Sequence, residues 1–189
     1  MARIVEPRLA AFERDFDYDT TYLREIARIS GIGFLRFVLF TLFAEHREQA
    51  PTAAIFTAKI VATLREDCGP CTQLVARMAE REGVPSRELR GVLEGDEHRM
   101  SDDVVLAFRF ANAVLDRDLP EADALRGRIQ ERWGARALVT IAFAIASSRV
   151  YPTLKYALGH GKACSRIAVG GVDVAVHRPF PADLRGAAS

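Results

Sequence analysis

The chain has 189 residues, a length that suits one domain of ordinary size. Hydrophobic residues make up 49% of it and charged residues 27%, so it can bury a core and does not have the composition of a disordered polymer. The 26 Lys and Arg nearly balance the 25 Asp and Glu, for a formal net charge of +1. This even balance argues against a nucleic-acid-binding protein, which concentrates positive charge on one face.

Membrane and secreted classes are also disfavoured. We expect no apolar run of the roughly 18 residues that span a bilayer, because the longest candidate, Gly31 to Ala44, is shorter and carries Arg36. The charged N-terminal residues leave no apolar core for a signal peptide. Three cysteines do not suit the disulfide framework of a secreted domain. We therefore expect a soluble, cytoplasmic protein without a membrane partner.

Apolar residues recur at helical spacing over most of the chain. A first helix is predicted from about Leu23 to Ser30. The next helix ends near Glu48 and has the widest apolar stripe, which is Phe34, Leu35, Val38, Leu39, Leu42 and Phe43. Pro51 can open a third helix. A fourth helix ends at Gly83 before Pro85, and its apolar stripe is Cys71, Leu74, Val75, Met78 and Ala79.

The second half of the chain continues this pattern. A short helix is predicted from Pro85 to about Leu93, followed by a helix for which Ser101 is a good N-cap. Glu121 to Trp133 is a shorter amphipathic helix. The stretch from Ala135 to Leu158 is long and apolar, and we expect Pro152 to kink or break it.

One segment has the pattern of extended backbone. Between Ile167 and Val176 the valines alternate, and Gly170 and Gly171 suit a two-residue hairpin turn. A lone hairpin is marginally stable, so we expect it to lean on the helical bundle or on a neighbouring subunit. The fold class is therefore all-α with a short C-terminal β-hairpin, in one domain over residues 1–189.

The segment with distinct chemistry contains Cys68-Gly69-Pro70-Cys71. A C-x-x-C pair at a helix start typically has one thiol with a pKa lowered from about 8.5 to about 7 or below, because free N–H groups and the helix dipole stabilise the thiolate. Cys71 shares the apolar stripe of its helix, so we expect Cys68 to be the more accessible and more acidic sulfur. In an intracellular protein such a pair favours a redox couple.

Three other interpretations stay open at this point. The cysteines can be small apolar residues at a helix start. They can form a zinc site with His160 and Cys164, which requires two segments distant in the sequence to meet. The Cys-Gly-Pro-Cys motif itself suggests a thioredoxin fold, which requires a strand before the motif, whereas Ala53 to Leu64 has helical periodicity.

This all-α pattern resembles the alkylhydroperoxidase D (AhpD-like) and carboxymuconolactone decarboxylase family. The similarity rests on C-x-x-C opening a helix, on Ala79 and Gly83 at eight and twelve residues after Cys71, and on the acidic-capped and long apolar helices that follow. It covers about residues 51–158. The resemblance implies a helical bundle, a homo-oligomer, and a peroxidase that uses no cofactor. Its partners would be an organic hydroperoxide and a dithiol or thioredoxin-like reductant.

The chain departs from the family in its proton relay. Family peroxidases have a His four residues after the second cysteine and a Glu about three turns before the first, and here those places hold Val75 and approximately Phe56. Glu66 lies close to Cys68 in the sequence and is the candidate to handle protons instead, so the candidate catalytic residues are Cys68, Cys71 and Glu66.

Two functions of different class follow. The first is a thiol-dependent peroxidase or disulfide oxidoreductase that uses Cys68 and Cys71. The second is a non-catalytic helical oligomer, a redox-sensitive or ligand-binding scaffold that has lost the family relay. Decarboxylase chemistry is the weaker branch, because it does not call for a cysteine pair. The wide stripe from Phe34 to Phe43 exceeds what one bundle core needs, which predicts burial between subunits.

Overall fold

A computed structural model describes residues 2–162 and 166–176, with side chains from residue 5 onward. In this part of the chain, nine α-helices and one short 3₁₀-helix precede a two-stranded sheet, which confirms the predicted all-α fold with a hairpin. The elements are α1 (Ala2–Phe16), α2 (Thr21–Ile29), α3 (Gly31–Ala44), α4 (Thr52–Arg65), α5 (Gly69–Arg81), α6 (Ser86–Glu94), the 3₁₀-helix Glu97–Arg99, α7 (Asp102–Asp116), α8 (Leu119–Trp133), α9 (Ala135–Ala157), β1 (Arg166–Val169) and β2 (Val172–Ala175).

Helix α4 forms the centre of the bundle. Nine of its 14 residues are buried, and it packs against α5, α7 and α9. A helix that is apolar on nearly every side must be enclosed by neighbours. Helices α6 and α8 complete the core around it, with Leu89, Leu93, Leu125 and Ile129 among the side chains they bury.

The long helix α9 differs from its prediction in two respects. It continues through Pro152 to Ala157 without a break. It is also the one helix, among the described residues, that is long and apolar enough by length and composition to cross a membrane, which corrects the expectation that no such run exists. Its most apolar window is 44% buried inside the protein, and it packs against α3, α4 and α8. The same length and composition are typical of the core helix of a helical bundle.

The hairpin packs against the helical bundle, which is one of the two arrangements predicted for it. Strands β1 and β2 are antiparallel, and Val169 pairs with Val172 across the turn. Ile167, Val169 and Val174 are buried against α5 and α6. The side-chain amide of Gln73 donates to the carbonyl of Ala168 at 2.9 Å and accepts from its N–H at 2.8 Å. Cys164, His177 and the tail residues 186–189 lie outside the described residues.

Helices α1 to α3 form an N-terminal layer, residues 2–44, over one side of the core. The sequence patterns did not predict α1, which contains Pro7 and several charged residues. Arg24 of α2 binds Glu13 and Glu6 of α1, at 2.6 and 2.8 Å. The Lys155 ammonium of α9 lies 4.7 Å from the centroid of the Tyr18 ring, and burial lowers the pKa of this lysine. Ion pairs and cation–π contacts therefore hold much of this layer.

Candidate functional site

The cysteine pair sits in the turn between two core helices. Cys68 is the N-cap residue of α5, and Cys71 follows one turn later. Their Cα atoms are 5.4 Å apart, and the two sulfurs lie at disulfide distance. The motif follows helix α4 directly, with no strand before it, which rules out the thioredoxin-fold interpretation.

Several contacts fix the backbone of this turn. Asp67 adopts a left-handed conformation (φ 49°), which lets the chain reverse from α4 into α5. The carbonyl of Cys68 accepts from the N–H and the hydroxyl of Thr72, both at 3.0 Å. From the end of α9, the Tyr156 hydroxyl donates to the carbonyl of Asp67 at 2.8 Å. The Gly69 N–H donates to the carbonyl of Lys162 at 3.1 Å. The segment after α9 thus covers the motif.

This cover corrects the expectation that Cys68 is the accessible sulfur. Cys68 is 0% exposed and Cys71 is 3% exposed. The sequence places Cys68 at the tip of a turn, but residues about ninety positions later lie over that tip, as the bond from Gly69 to Lys162 shows. Neither sulfur is presented on the outer surface of this chain.

Cys71 is instead part of the wall of a large cavity that is partly open to solvent. The cavity has a volume of about 1120 Å³ and lies between the core helices α4, α5 and α9 and the N-terminal layer. Its wall on α5 is the predicted stripe of Cys71, Leu74, Val75 and Met78. Helix α4 contributes Phe56, Lys59 and Thr63, and α9 contributes Ser147, Ser148 and Tyr151. Aromatic and aliphatic side chains of α1 to α3 close it from the other side, among them Phe12, Phe16, Phe34, Phe37 and Val38.

The cavity has a chemically distinct outer end. Three residues join helices α4 and α5, which pack against each other as an antiparallel pair. The start of α4 therefore lies beside the end of α5. There Arg47 forms an ion pair with Glu82 at 3.2 Å, and its guanidinium lies 5.2 Å from the centroid of the Phe56 ring. Cys71 lines the opposite end, near the last turn of α4.

Lys59 lies between these two ends and is a functional candidate that the sequence patterns did not indicate. Its ammonium donates to the carbonyl of Ala44 at 2.9 Å and lies 5.8 Å from the centroid of the Phe56 ring. Burial, together with the nearby charge of Arg47, lowers the pKa of Lys59 to about 8. An amine with this pKa remains mostly protonated at pH 7 and places a positive charge on the α4 side of the cavity. The sequence feature that could have indicated Lys59 is that it is the one lysine within the apolar helix α4.

The third predicted catalytic residue lies outside this cavity. Glu66 caps the end of α4, and its carboxylate accepts from the Arg149 guanidinium at 2.5 Å. Among the described residues, the cavity wall includes Cys71 but neither Cys68 nor Glu66. In contrast, Val75, one helical turn after Cys71, lines the cavity beside it, whereas Phe56 lines the opposite end. The positions at which the resemblance places the proton relay therefore hold apolar side chains, and of the two only Val75 lies close to the cysteine.

The zinc interpretation gains no support from the described residues. The segment after α9 does meet the cysteine motif, through the bond from Gly69 to Lys162. His160, however, lies 2.7 Å from a carboxylate oxygen of Glu25. No group of three or more His, Cys, Asp or Glu side chains within residues 2–162 and 166–176 is arranged to hold a metal ion.

Comparison of the chain with protein-family models, with curated proteins and with solved structures finds no match. The interpretation of the site therefore rests on its own geometry.

Proposed function

We propose that this protein is a thiol–disulfide oxidoreductase that reduces organic hydroperoxides through Cys68 and Cys71, as in the alkylhydroperoxidase D family that it resembles. One observation carries the proposal: two cysteines lie at disulfide distance, and one of them is on the wall of an apolar cavity. Such a cavity admits an organic molecule and limits access of water to a reactive sulfur species.

In the proposed cycle the Cys71 thiolate attacks the terminal oxygen of the hydroperoxide. The O–O bond breaks, an S–O bond forms, and the leaving alkoxide takes up a proton to become an alcohol. The Cys68 thiol then attacks the sulfenic acid of Cys71 and expels water, which leaves the disulfide. A dithiol reduces this disulfide by exchange, is itself oxidised, and restores both thiols. The position of Cys71 at the N-terminus of α5 favours its thiolate form.

The partners follow from this cycle. We propose a dithiol or thioredoxin-like reductant, because exchange needs a second thiol pair, and we infer a cytoplasmic location, where such reductants keep thiols reduced. The chemistry needs no cofactor beyond the two sulfurs. We also propose a homo-oligomer, since Ile32, Leu35, Leu39 and Leu42 form one exposed apolar face of α3 at spacings of three and four residues.

A second candidate function is a non-catalytic, redox-sensitive or ligand-binding scaffold. It is favoured by the apolar side chains of Val75 and Phe56 at the relay positions and by the pairing of Glu66 with Arg149. Without a base beside the sulfur, the Cys71 thiol gives up its proton slowly, and the pair would respond to redox conditions without efficient turnover.

The two functions are separated by turnover of tert-butyl hydroperoxide with dithiothreitol as the electron donor. The peroxidase proposal expects consumption that Cys71→Ser and Cys68→Ser each abolish and that Cys164→Ser, the matched cysteine control, leaves unchanged. Glu66→Gln tests the remaining role for that carboxylate, and a strong loss of rate would assign it the proton transfer. Consumption that is insensitive to both motif cysteines would reject the peroxidase and leave the scaffold.

A further inference from the structure

The cavity that Cys71 lines has the size and lining of a ligand-binding site. Its volume of about 1120 Å³ is at the upper end of cavities that hold cofactors and drug-sized molecules, and far above the voids of a packed core. Six helices of the same chain, α1 to α5 and α9, contribute to its wall. A cavity that is walled by six helices and only partly open to solvent suits a small molecule.

The distribution of charge in the wall defines the chemistry of that molecule. The wall is mainly apolar, and its charged residues comprise four cations and two carboxylates, which are Arg8, Arg47, Lys59, Arg81, Glu45 and Glu82. Lys59 uses one donor for the carbonyl of Ala44, and no second acceptor within the described residues lies within hydrogen-bond distance of its ammonium. Arg47 pairs with Glu82 through one nitrogen, and Glu45 partly offsets the charge of Lys59, so this end of the wall keeps donors and positive charge for an anion.

We propose that the cavity binds a single-chain amphiphilic anion, whose carboxylate lies at Lys59 and Arg47 and whose alkyl chain extends toward Cys71. The distance supports this orientation. Phe56 and Thr63 mark the two ends of the α4 wall, and at 1.5 Å per residue their separation of seven positions corresponds to about 10 Å. A medium or long alkyl chain covers that length.

This inference deepens the proposed function and, for the reaction only, rests on it. A fatty-acid hydroperoxide carries its O–O bond part-way along the chain, at a distance from the carboxylate. With the carboxylate at Lys59, that bond would reach the end of the cavity where Cys71 lies. The substrate class would then be hydroperoxides of amphiphilic carboxylates. The binding of the anion does not depend on thiol chemistry.

The test is calorimetric titration of the full chain, in its disulfide form, with dodecanoate and with dodecanol. We expect dodecanoate to bind at one site per chain and at least tenfold more tightly than the uncharged alcohol. Lys59→Met should weaken dodecanoate binding about tenfold, because it removes one hydrogen bond to a charged group. The affinity for dodecanol should stay the same. Lys59→Arg keeps the charge and should keep the preference. Arg136→Met, which removes an exposed cation in the first turn of α9 and outside the cavity wall, is the matched control and should change neither affinity.

A second variant tests the cavity itself. Val75→Trp places a large ring on the wall beside Cys71 and should abolish binding of both probes while the helical circular dichroism persists. The proposal is overturned if dodecanoate does not bind, if Lys59→Met binds it as tightly as the parent, or if Val75→Trp has no effect. An absence of binding together with a self-associated protein would mean that a second copy fills this space.

The two proposals fail in different ways. Turnover of tert-butyl hydroperoxide without dodecanoate binding would overturn the ligand site and leave the peroxidase. Dodecanoate binding that depends on Lys59, without turnover of any hydroperoxide, would support the ligand site and reject the peroxidase.

Discussion

The bundle of α4 to α9 and the layer of α1 to α3 are stabilised in different ways. The buried hydrophobic cluster runs through α4, α5, α6, α7, α8, α9 and the hairpin, and none of its fully enclosed members comes from residues 2–44. The layer instead has fewer buried side chains. Arg77 and Lys155 contact it from the bundle, at Asp17 and Tyr18, and the rings of Phe37 and Phe43 in α3 pack on Tyr151 and Phe143 of α9. Apolar burial dominates the bundle, whereas aromatic and charged contacts at its margin attach the layer.

This difference assigns a separate role to each region. The bundle holds the turn that carries Cys68 and Cys71 through close packing, which fixes the sulfurs at disulfide distance. The layer covers the wall that Cys71 faces and so creates the cavity. A weakly attached layer over a rigid site can open locally at low free-energy cost, which is how a ligand would reach a sulfur that is buried in the closed form.

The largest expected effect is on the bundle. Ile60 of α4 is 0% exposed, whereas Ile29 of α2 is 67% exposed. Ile60→Ala should lower the free energy of unfolding by about 2–5 kcal/mol, because it removes buried methyl groups and leaves a cavity. Ile29→Ala in the layer should change it by less than about 0.5 kcal/mol. Urea denaturation of both variants measures the contrast, and equal losses would remove the distinction between the two regions.

The next effect concerns the outer face of the layer. Leu39 lies in the exposed apolar row of α3, which we propose to be buried between subunits. Leu39→Glu would bury a charge there and should raise the subunit dissociation constant about a hundredfold, or about 2.8 kcal/mol. Sedimentation velocity measures this, and Arg36→Glu on the same helix is a control that already begins with a charged side chain. A parent protein that sediments as a monomer at micromolar concentration would contradict the prediction.

A smaller effect is expected at the boundary between the two regions. Val75 lines the cavity one helical turn after Cys71, at the position where family peroxidases have a histidine. General-base assistance contributes about 10²–10⁴-fold, so even an imperfectly aligned imidazole in Val75→His should raise hydroperoxide turnover by at least about tenfold. Val75→Asn, polar but not basic, controls for added polarity. An equal gain in turnover for Val75→His and Val75→Asn, or no gain in either, would contradict the view that a missing general base limits the rate.

The smallest expected effect is a difference in pH dependence between the N-terminal layer and the bundle. Hydrogen bonds from Arg24 and Thr20 lower the pKa of Glu13 from 4.5 to about 2. Because the pKa of Glu13 is lower in the folded state, Glu13 stabilises the layer fully above pH 4.5, and this stabilisation is lost as the pH falls toward 2. The hydrogen-exchange protection factors of α1 and α2 should therefore fall in that range before those of α4 do. Arg24→Met should give the same local loss of protection at neutral pH. Simultaneous loss of protection in both regions would show that they unfold as one unit.

Periodicity predicted most of the helices because each depends on a local apolar stripe. Helices α2 to α9 and the hairpin could be placed from spacings such as Phe56, Ile60 and Leu64, or from Gly170 and Gly171. Helix α1 has a similar stripe in Val5, Leu9, Phe12 and Phe16, but Pro7 lies inside it and charged residues surround it, so the pattern did not predict a helix there. Pro152 is likewise tolerated inside α9, where the surrounding helices support the backbone.

The chemistry of the site was predictable only where it is local in sequence. The spacing of Cys68 and Cys71 predicted their pairing, and the stripe on α5 predicted an apolar neighbourhood for Cys71. Which sulfur faces a cavity depends on Lys162 and Tyr156, which cover the turn from far along the chain. The position of Lys59 in the cavity wall likewise depends on the layer that closes over α4. Contacts of this range leave no signature in one sequence.

The most direct test of the central claim asks which sulfur a hydroperoxide oxidises. The reduced protein is treated with one equivalent of cumene hydroperoxide in the presence of dimedone, and the labelled peptides are identified by mass spectrometry. We predict a Cys68–Cys71 disulfide in the parent, a trapped sulfenic acid on Cys71 in Cys68→Ser, and no trapped Cys68 in Cys71→Ser. A sulfenic acid trapped on Cys68 in Cys71→Ser, with none on Cys71 in Cys68→Ser, would contradict the assignment of Cys71 as the sulfur that reacts from the cavity.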